Sequence, residues 1–242
     1  MSATLLRPRG VGEILDTGFQ LYRRRWAAMA SATLIILLPV LVLEAVAPLN
    51  WLPILERISN LFFMAASAAV VVIASGAYLG HEVTAGEAIG QMRRRFLSVW
   101  GAAIFQSIIV SLGLLLLVVP GIFALAYTFA MQQAVMVEGR STDEAWERSK
   151  ELARGHVRPI LFTSVMAFVF SFFVGVGTSA VLMQVVPDIR MQTVLFNLVL
   201  VAVNPIVASI GTVLYYDLRI RKEAFDVAVA TDRLQAEPVL AV

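Results

Sequence analysis

Few side chains in this sequence have the types and spacing that catalysis requires. The chain has no cysteine and two histidines, His81 and His156, which lie in separate segments with no pair of carboxylates nearby. That pattern does not supply the three or four closely spaced ligands of a metal site. No phosphate-binding loop, dinucleotide-binding glycine motif or serine-nucleophile motif occurs either. We therefore expect a protein without enzymatic activity, metal or cofactor.

Hydrogen bonding by side chains within apolar stretches is the second chemistry to consider. Such amides either join neighbouring helices or line a path for a polar solute. Their scattered positions favour interhelical contacts, and a path is the alternative. Glu44 is the one acid within a proposed span, near its outer end, and we expect it to face the interface. The amides in question are Gln106, Gln132, Gln133, Asn197 and Asn204.

Two runs of three arginines, 23–25 and 93–95, could attract anionic lipid headgroups. Each arginine near such a surface contributes about 1 kcal/mol of attraction. The simpler explanation, which the sequence favours, is that these residues set the topology of the protein in a membrane. Lipid headgroups are nevertheless the first partners we expect. The basic residues carry no nucleic-acid-binding signature, because they lie next to apolar stretches. The individual residues are Arg23, Arg24, Arg25, Arg93, Arg94 and Arg95.

The composition identifies the medium in which these residues act. Of the 242 residues, 59% are hydrophobic and 15% are charged. Soluble globular proteins have about 45–50% apolar and about 25% charged residues. So few charges cannot cover a water-exposed surface, and the apolar content excludes a disordered chain. The sequence therefore predicts an all-α integral membrane protein.

Six apolar stretches are long enough to cross a bilayer. Pro120 and Gly121 separate the third from the fourth, which predicts a hairpin with almost no loop. All but two of the 19 Lys and Arg residues fall on one side of this six-span arrangement, and Arg57 and Arg190 are the exceptions. Such asymmetry indicates that both termini are cytoplasmic. The stretches are approximately 27–47, 60–80, 98–119, 121–137, 157–186 and 192–216.

The cytoplasmic segments repeat one design, an amphipathic helix followed by two spans. Thr84 with Glu87 and Ser141 with Glu144 fit the helix-starting capping box, and Gly10 with Glu13 is a weaker version. We expect a single domain over residues 1–226 with units at about 10–80, 84–138 and 141–216, and a flexible tail over 227–242. The third helix can form the charge pairs Glu144–Arg148, Glu147–Lys150 and Glu151–Arg154 within itself. This self-pairing favours contact of the helix with protein over contact with lipid. The apolar faces are Val11, Ile14, Leu15, Gly18 and Tyr22; Ala85, Ala88, Ile89, Met92 and Phe96; and Ala145, Trp146, Ser149, Leu152 and Ala153.

Several short motifs together resemble a known family. They are Arg7-Pro8, Val11-Gly12-Glu13-Ile14-Leu15-Asp16, Phe19 and Leu21-Tyr22-Arg23; Val119-Pro120-Gly121-Ile122, Glu138-Gly139, Glu144-Ala145 and Arg148-Ser149; and Leu214-Tyr215-Tyr216-Asp217-Leu218-Arg219-Ile220-Arg221, Glu223 and Phe225-Asp226. In this order they resemble the membrane domain found beside some bacterial glycerophosphoryl diester phosphodiesterases. The resemblance implies a six-span protein of a bacterial or archaeal cytoplasmic membrane. It does not imply phosphodiesterase activity, which in fused relatives belongs to a separate soluble domain.

The terminal motif has a plausible structural role in this chain. Tyr215 and Tyr216 suit the headgroup level of a membrane. Asp217, Arg219 and Arg221 could pair with the first helix, for example with Asp16 and the arginines at 23–25, and so fasten the bundle.

Three functions remain open at this stage. We expect a scaffold, an accessory subunit or a lipid-engaging subunit, for which a membrane protein is the second partner to consider. The alternatives are a transporter for a small or lipid-like solute and a membrane regulator of an associated phosphodiesterase. A transporter predicts a water-accessible cavity lined by the intramembrane amides. A scaffold predicts a dry interior and an apolar outer groove or helix face.

Overall fold

A computed structural model describes residues 7–225 and residue 227, and of Val118 only the backbone. The described residues form helices and connecting turns without a β-strand. Most of the predicted tail, 228–242, lies outside the described residues, as does Asp226. The helices are α1 (Val11–Val46), α2 (Leu52–Leu79), α3 (Ala85–Arg94), α4 (Phe96–Leu116), α5 (Val118–Thr128), α6 (Met131–Gln133), α7 (Thr142–Ala153), α8 (Val157–Val185) and α9 (Ile189–Glu223). A single 3₁₀ turn, Leu49–Trp51, precedes α2, and a π-helical turn, Ala134–Glu138, continues α6.

Six of the described helical segments are long and apolar enough to cross a membrane. About 20 helical residues span the hydrocarbon core of a bilayer. The prediction of an all-α membrane protein with six spans is therefore confirmed. The segments are Val11–Val46, Leu49–Leu79, Phe96–Leu116, Val119–Glu138, Val157–Val185 and Ile189–Glu223.

Two predicted boundaries differ from the observed ones. The second span begins at Leu52, not near residue 60, so Glu56 and Arg57 are helical. The turn between α4 and α5 lies at Leu117, whose backbone is extended (φ −165°, ψ 154°), and not at Pro120-Gly121. Pro120 lies in the first turn of α5, where a missing N–H costs nothing. Gly121 packs against Gly113, where an added side chain on either residue would meet the other helix.

The three predicted units have matching local geometry. At Arg25, Arg95 and His156 the chain passes from an amphipathic helix into a span with similar backbone angles. Their φ values are −122°, −111° and −125°, and their ψ values are 17°, 18° and 22°. Each unit also ends in a left-handed residue: Gly80, Gly139 and Ala224. Phe96, predicted on the apolar face of the second amphipathic helix, instead begins α4, because the break comes at Arg95.

The amphipathic helices bury the faces that their periodicity predicts. Ile14 and Gly18 of α1, Ala88 and Met92 of α3, and Ala145, Ser149, Leu152 and Ala153 of α7 are buried. They pack on the halves of the spans that the charge pattern predicts to be cytoplasmic, where α1 contacts both α2 and α9. In contrast, α4 and α8 leave most of their apolar residues on the outside. The core is therefore densest at the end of the amphipathic helices, and the opposite half leaves room between α2, α8 and α9.

Candidate functional site

A cavity of about 320 Å³, here called the outer chamber, lies between α2, α8 and α9. Position along these helices places it in the half of the bundle away from the amphipathic helices. Its apolar wall is formed by Leu182, Met183, Ile189, Phe196 and Leu200. Its polar wall is formed by Glu56, Ser59, Asn60, Ser179, Gln192, Thr193 and Asn197.

Glu44 lies directly behind the polar wall of the outer chamber. Its carboxylate accepts hydrogen bonds from Ser59 Oγ at 2.7 Å and from Asn197 Nδ2 at 2.8 Å. The side chain is fully buried. The expectation that Glu44 faces the interface is therefore wrong. The sequence could not show this, because both hydrogen-bond donors come from other spans.

A second cavity of about 410 Å³, the inner chamber, lies between α2, α4, α6 and α9 and shares Asn60 with the outer chamber. Gln132 accepts a hydrogen bond from Ser67 Oγ at 3.2 Å and donates one to the Met64 carbonyl at 3.1 Å. Asn204 Nδ2 is buried and donates to no described residue. A buried donor of this kind is suited to a polar ligand atom or a water molecule. The lining residues are Asn60, Phe63, Met64, Ser67, Val99, Ala102, Ala103, Gln106, Gln132 and Asn204.

The structure brings together most of the amides that the sequence singled out. Gln106, Gln132 and Asn204 line the inner chamber, and Asn197 lines the outer one. Gln133 does not belong to either: it is buried beside Gly211, with its Oε1 atom unpaired among the described residues. The interhelical contacts that the sequence favoured are also found in part, since Gln132 joins α6 to α2.

The sequence reasoning missed the polar face of α2 that joins the two chambers. Glu56, Ser59, Asn60 and Ser67 recur at helical spacing, with Phe63 and Met64 between them. The spacing is visible in the sequence, but a span that begins at residue 60 leaves out Glu56 and Ser59.

An apolar groove of about 460 Å³ on α8 adjoins the outer chamber. Ser179 and Met183 line both. The other lining residues are Phe172, Gly175, Val176 and Ala180. A molecule with a polar head and an apolar chain could therefore place its head in the outer chamber and its chain along α8.

A network of charges at the end of the bundle that is predicted to be cytoplasmic, here called the cytoplasmic network, is centred on Glu138. Its carboxylate accepts hydrogen bonds from Arg148 at 2.9–3.0 Å, from Arg140 at 3.0 Å and from the Tyr215 hydroxyl. Arg148 also pairs with Glu151 at 3.1 Å and with Glu223. Burial alone would lower the pKa of Arg148, but the Glu138 carboxylate raises it above its ordinary value. The predicted Glu144–Arg148 pair does not form, because Glu144 caps its own helix at the Ser141 N–H.

Asp217 fastens the N-terminal segment to α9. It accepts a hydrogen bond from the Arg9 backbone N–H at 2.6 Å and from Arg221 Nε at 2.7 Å. Arg221 also donates to the Arg9 carbonyl at 2.6 Å. The predicted link between the two ends of the chain thus exists, but the suggested partners were wrong. Asp16 hydrogen-bonds Gln20, and Arg219 pairs with Glu223 at 3.1 Å.

The two tyrosines of the terminal motif lie inside the bundle and not on its outer surface. Tyr215 and Tyr216 are both fully buried. The Tyr216 hydroxyl is hydrogen-bonded to Ser75, and its ring stacks on Tyr78 at 4.9 Å. Arg9 donates to the Tyr78 hydroxyl at 2.9 Å, which connects this aromatic pair to the Asp217 link.

The last arginine of each run binds another part of the protein. Arg25 binds Glu82 at 2.7 Å and the Val83 carbonyl at 3.0 Å. Arg95 donates to the Val135 and Met136 carbonyls at 2.5 and 3.2 Å, in the π-helical turn. The first two residues of each run are exposed: Arg23, Arg24, Arg93 and Arg94. Glu13 pairs with Arg7 and accepts from the Gly10 N–H.

In comparisons with known proteins, no family model, curated protein or solved structure matches the chain.

Proposed function

We propose that this integral membrane protein takes up an amphiphilic, lipid-like molecule from the bilayer and carries it within the membrane. This is the transporter alternative of the sequence analysis, and it replaces our first expectation of a scaffold or accessory subunit. The observation that carries it is the pair of polar chambers that share Asn60. Polar cavities at membrane depth are expected where a solute passes or binds.

The shape of the site supports a lipid-like solute over a small hydrophilic one. The outer chamber adjoins the apolar groove on α8 at Ser179 and Met183. Its polar wall is therefore continuous with the apolar face of α8. Ligand sites commonly combine an apolar lining with a few orienting polar groups. A lipid could therefore enter sideways, with its chain remaining on α8.

The cytoplasmic end supports the same proposal from the other side. The cytoplasmic network and the buried faces of the amphipathic helices pack together below the chambers. The bundle is thus tightest at the end opposite the outer chamber, as a carrier open in one direction requires. We further propose that this closed end faces the cytoplasm of a bacterial or archaeal cell, in agreement with the charge asymmetry and the family resemblance.

Cysteine labelling in nanodiscs tests the proposal, because the chain has no native cysteine. Single variants Asn60→Cys and Gln106→Cys should react with a water-soluble maleimide, since both residues line a chamber. Ile108→Cys is the control, because this residue of α4 is about half exposed on the apolar outer surface. Octadecanol should slow labelling of Asn60→Cys by filling the outer chamber.

Two results would contradict the proposal. One is equal reactivity of the Asn60→Cys, Gln106→Cys and Ile108→Cys variants, which would mean that the chambers hold no water. The other is labelling of Asn60→Cys that octadecanol leaves unchanged, which would mean that the chamber admits no amphiphile.

A further inference from the structure

The outer chamber is negatively charged and has no compensating cation in its wall. Glu56 lines it, whereas none of its lining residues is Lys or Arg. The other lining groups that can hydrogen-bond are hydroxyls and amides, which serve a charged or a neutral head equally well. An anionic headgroup such as a phosphate would meet repulsion here and no basic partner.

Glu44 adds a second carboxylate that only neutral groups hold. Its two oxygens are bound by Ser59 and Asn197, which themselves line the chamber. No Lys, Arg or His lies within ion-pair distance of Glu44 among the described residues, although ten such pairs occur elsewhere in the structure. A fully buried carboxylate without a countercharge is costly, and an arriving cation would lower that cost.

The charged groups nearest to this region lie on α2 and α9. Glu56 and Arg57 are both exposed residues of α2, Asp188 is the exposed N-cap of α9, and Arg190 is partly exposed in the first turn of α9. Of these, Glu56 is the one that lines the chamber. Neither arginine lines the chamber, and neither forms an ion pair with Glu44 among the described residues.

We propose that the outer chamber selects amphiphiles with a positively charged head, such as a long-chain amine, with Glu44 and Glu56 as the countercharges. This inference rests on the proposed function and names the class of molecule carried. The head would sit against Ser59 and Asn197, one side chain away from Glu44. The alkyl chain would follow the groove formed by residues such as Phe172, Val176 and Met183.

Three probes with the same eighteen-carbon chain test the charge of the head: octadecylamine, octadecanol and octadecanoic acid. The amine is protonated at pH 7, as the lysine side chain is. Binding of radiolabelled octadecylamine to the protein in phosphatidylcholine nanodiscs is measured by scintillation proximity, with the unlabelled probes as competitors. We expect the amine to compete best, octadecanol to compete about tenfold less well, and octadecanoic acid to compete least.

Two charge-removing variants locate the effect. Glu44→Gln keeps the size of the side chain and should weaken octadecylamine binding about tenfold while leaving octadecanol binding unchanged. Glu56→Gln, at an exposed position that has no ion pair among the described residues, should weaken octadecylamine binding less. Glu147→Gln is the control, because that acid is exposed on α7, far from the chamber.

The outcomes separate this inference from the proposed function. Equal competition by octadecanol and octadecylamine, or amine binding unaffected in both variants, would overturn the charge selection while leaving an amphiphile site in place. Failure of every probe to bind saturably would overturn the proposed function itself. Loss of octadecanol binding in Glu44→Gln would assign the residue to the structure of the chamber and so contradict its role as a countercharge.

Discussion

At the scale of single residues, one buried and one mostly buried carboxylate obtain their hydrogen bonds in different ways. Glu138 is surrounded by cations and a tyrosine hydroxyl, whereas Glu44 is held by a serine and an asparagine. In the sequence both are acids near the end of an apolar stretch. Their partners lie between 2 and 153 positions away, so spacing could not distinguish them. The first arrangement joins several helices through charge pairs, and the second is the one to which we assign the role of a countercharge.

The cytoplasmic network gives a prediction at this scale. Arg148→Ala should lower the free energy of unfolding by about 3–5 kcal/mol, because it leaves Glu138 and Glu223 without their buried partner. Lys150→Ala, on the same helix, removes a pair with the exposed Glu147 and should cost no more than about 1 kcal/mol. Denaturant unfolding in detergent micelles measures both. Equal losses would show that Arg148 does not hold the helices together.

At the scale of helices, local rules predicted most of what is seen. The apolar periodicity identified the buried faces of α1, α3 and α7, and the capping residues identified the start of the last two. The turn after α4 was predicted at the wrong residues because Pro and Gly occur both in turns and within helices. Gly121 permits close packing against Gly113 and not a reversal of the chain, and only the neighbouring helix reveals which use applies.

The helix caps give a prediction with a defined pH range. Hydrogen bonds from Thr84 and Ser141, chiefly from their backbone N–H groups, lower the pKa of Glu87 and of Glu144. Since the folded pKa lies below the unfolded one, the stabilisation is complete above the unfolded value of about 4.3 and is lost as the pH falls through the folded value. The double variant Glu87→Ala/Glu144→Ala should therefore have a lower Tm than the parent protein at pH 7. The difference should shrink between about pH 5 and pH 3.

The double variant Glu87→Gln/Glu144→Gln is the matched control for this prediction. It keeps an oxygen that can accept the same hydrogen bonds but has no titrating charge. Its Tm difference from the Ala double variant should not vary with pH. A parent-to-Ala difference that stays constant from pH 7 to pH 3 would contradict a role for the ionised carboxylates.

At the scale of the whole molecule, hydropathy and charge predicted the number of spans and the fold class, but they could not predict the two chambers. A cavity forms where α2, α8 and α9 fail to fill the space between them, and that depends on how three distant segments approach one another. Likewise, the sequence predicted that Asp217 binds the N-terminal part of the chain, but not that its partner is Arg9. The donor is the backbone N–H of Arg9, and every residue except proline has such a group, so residue types do not identify it.

The predicted orientation can be measured with single cysteines. In intact cells, a membrane-impermeant maleimide should label Asn50→Cys, in the turn between α1 and α2, and should not label Glu147→Cys until the cells are opened. Both positions are exposed. This pattern follows from the basic residues on the side of the amphipathic helices. The opposite pattern would place the closed end of the bundle outside the cytoplasm.

The link between Arg9 and Asp217 also has a consequence for biosynthesis. These residues are 208 positions apart, so the ribosome makes the second long after the first. At about 5–20 residues per second, the delay is about 10–40 s. For that time the first amphipathic helix must rest on the membrane surface without its final partner. A nascent chain stalled just before Asp217 would therefore expose an unfinished bundle to quality-control proteases.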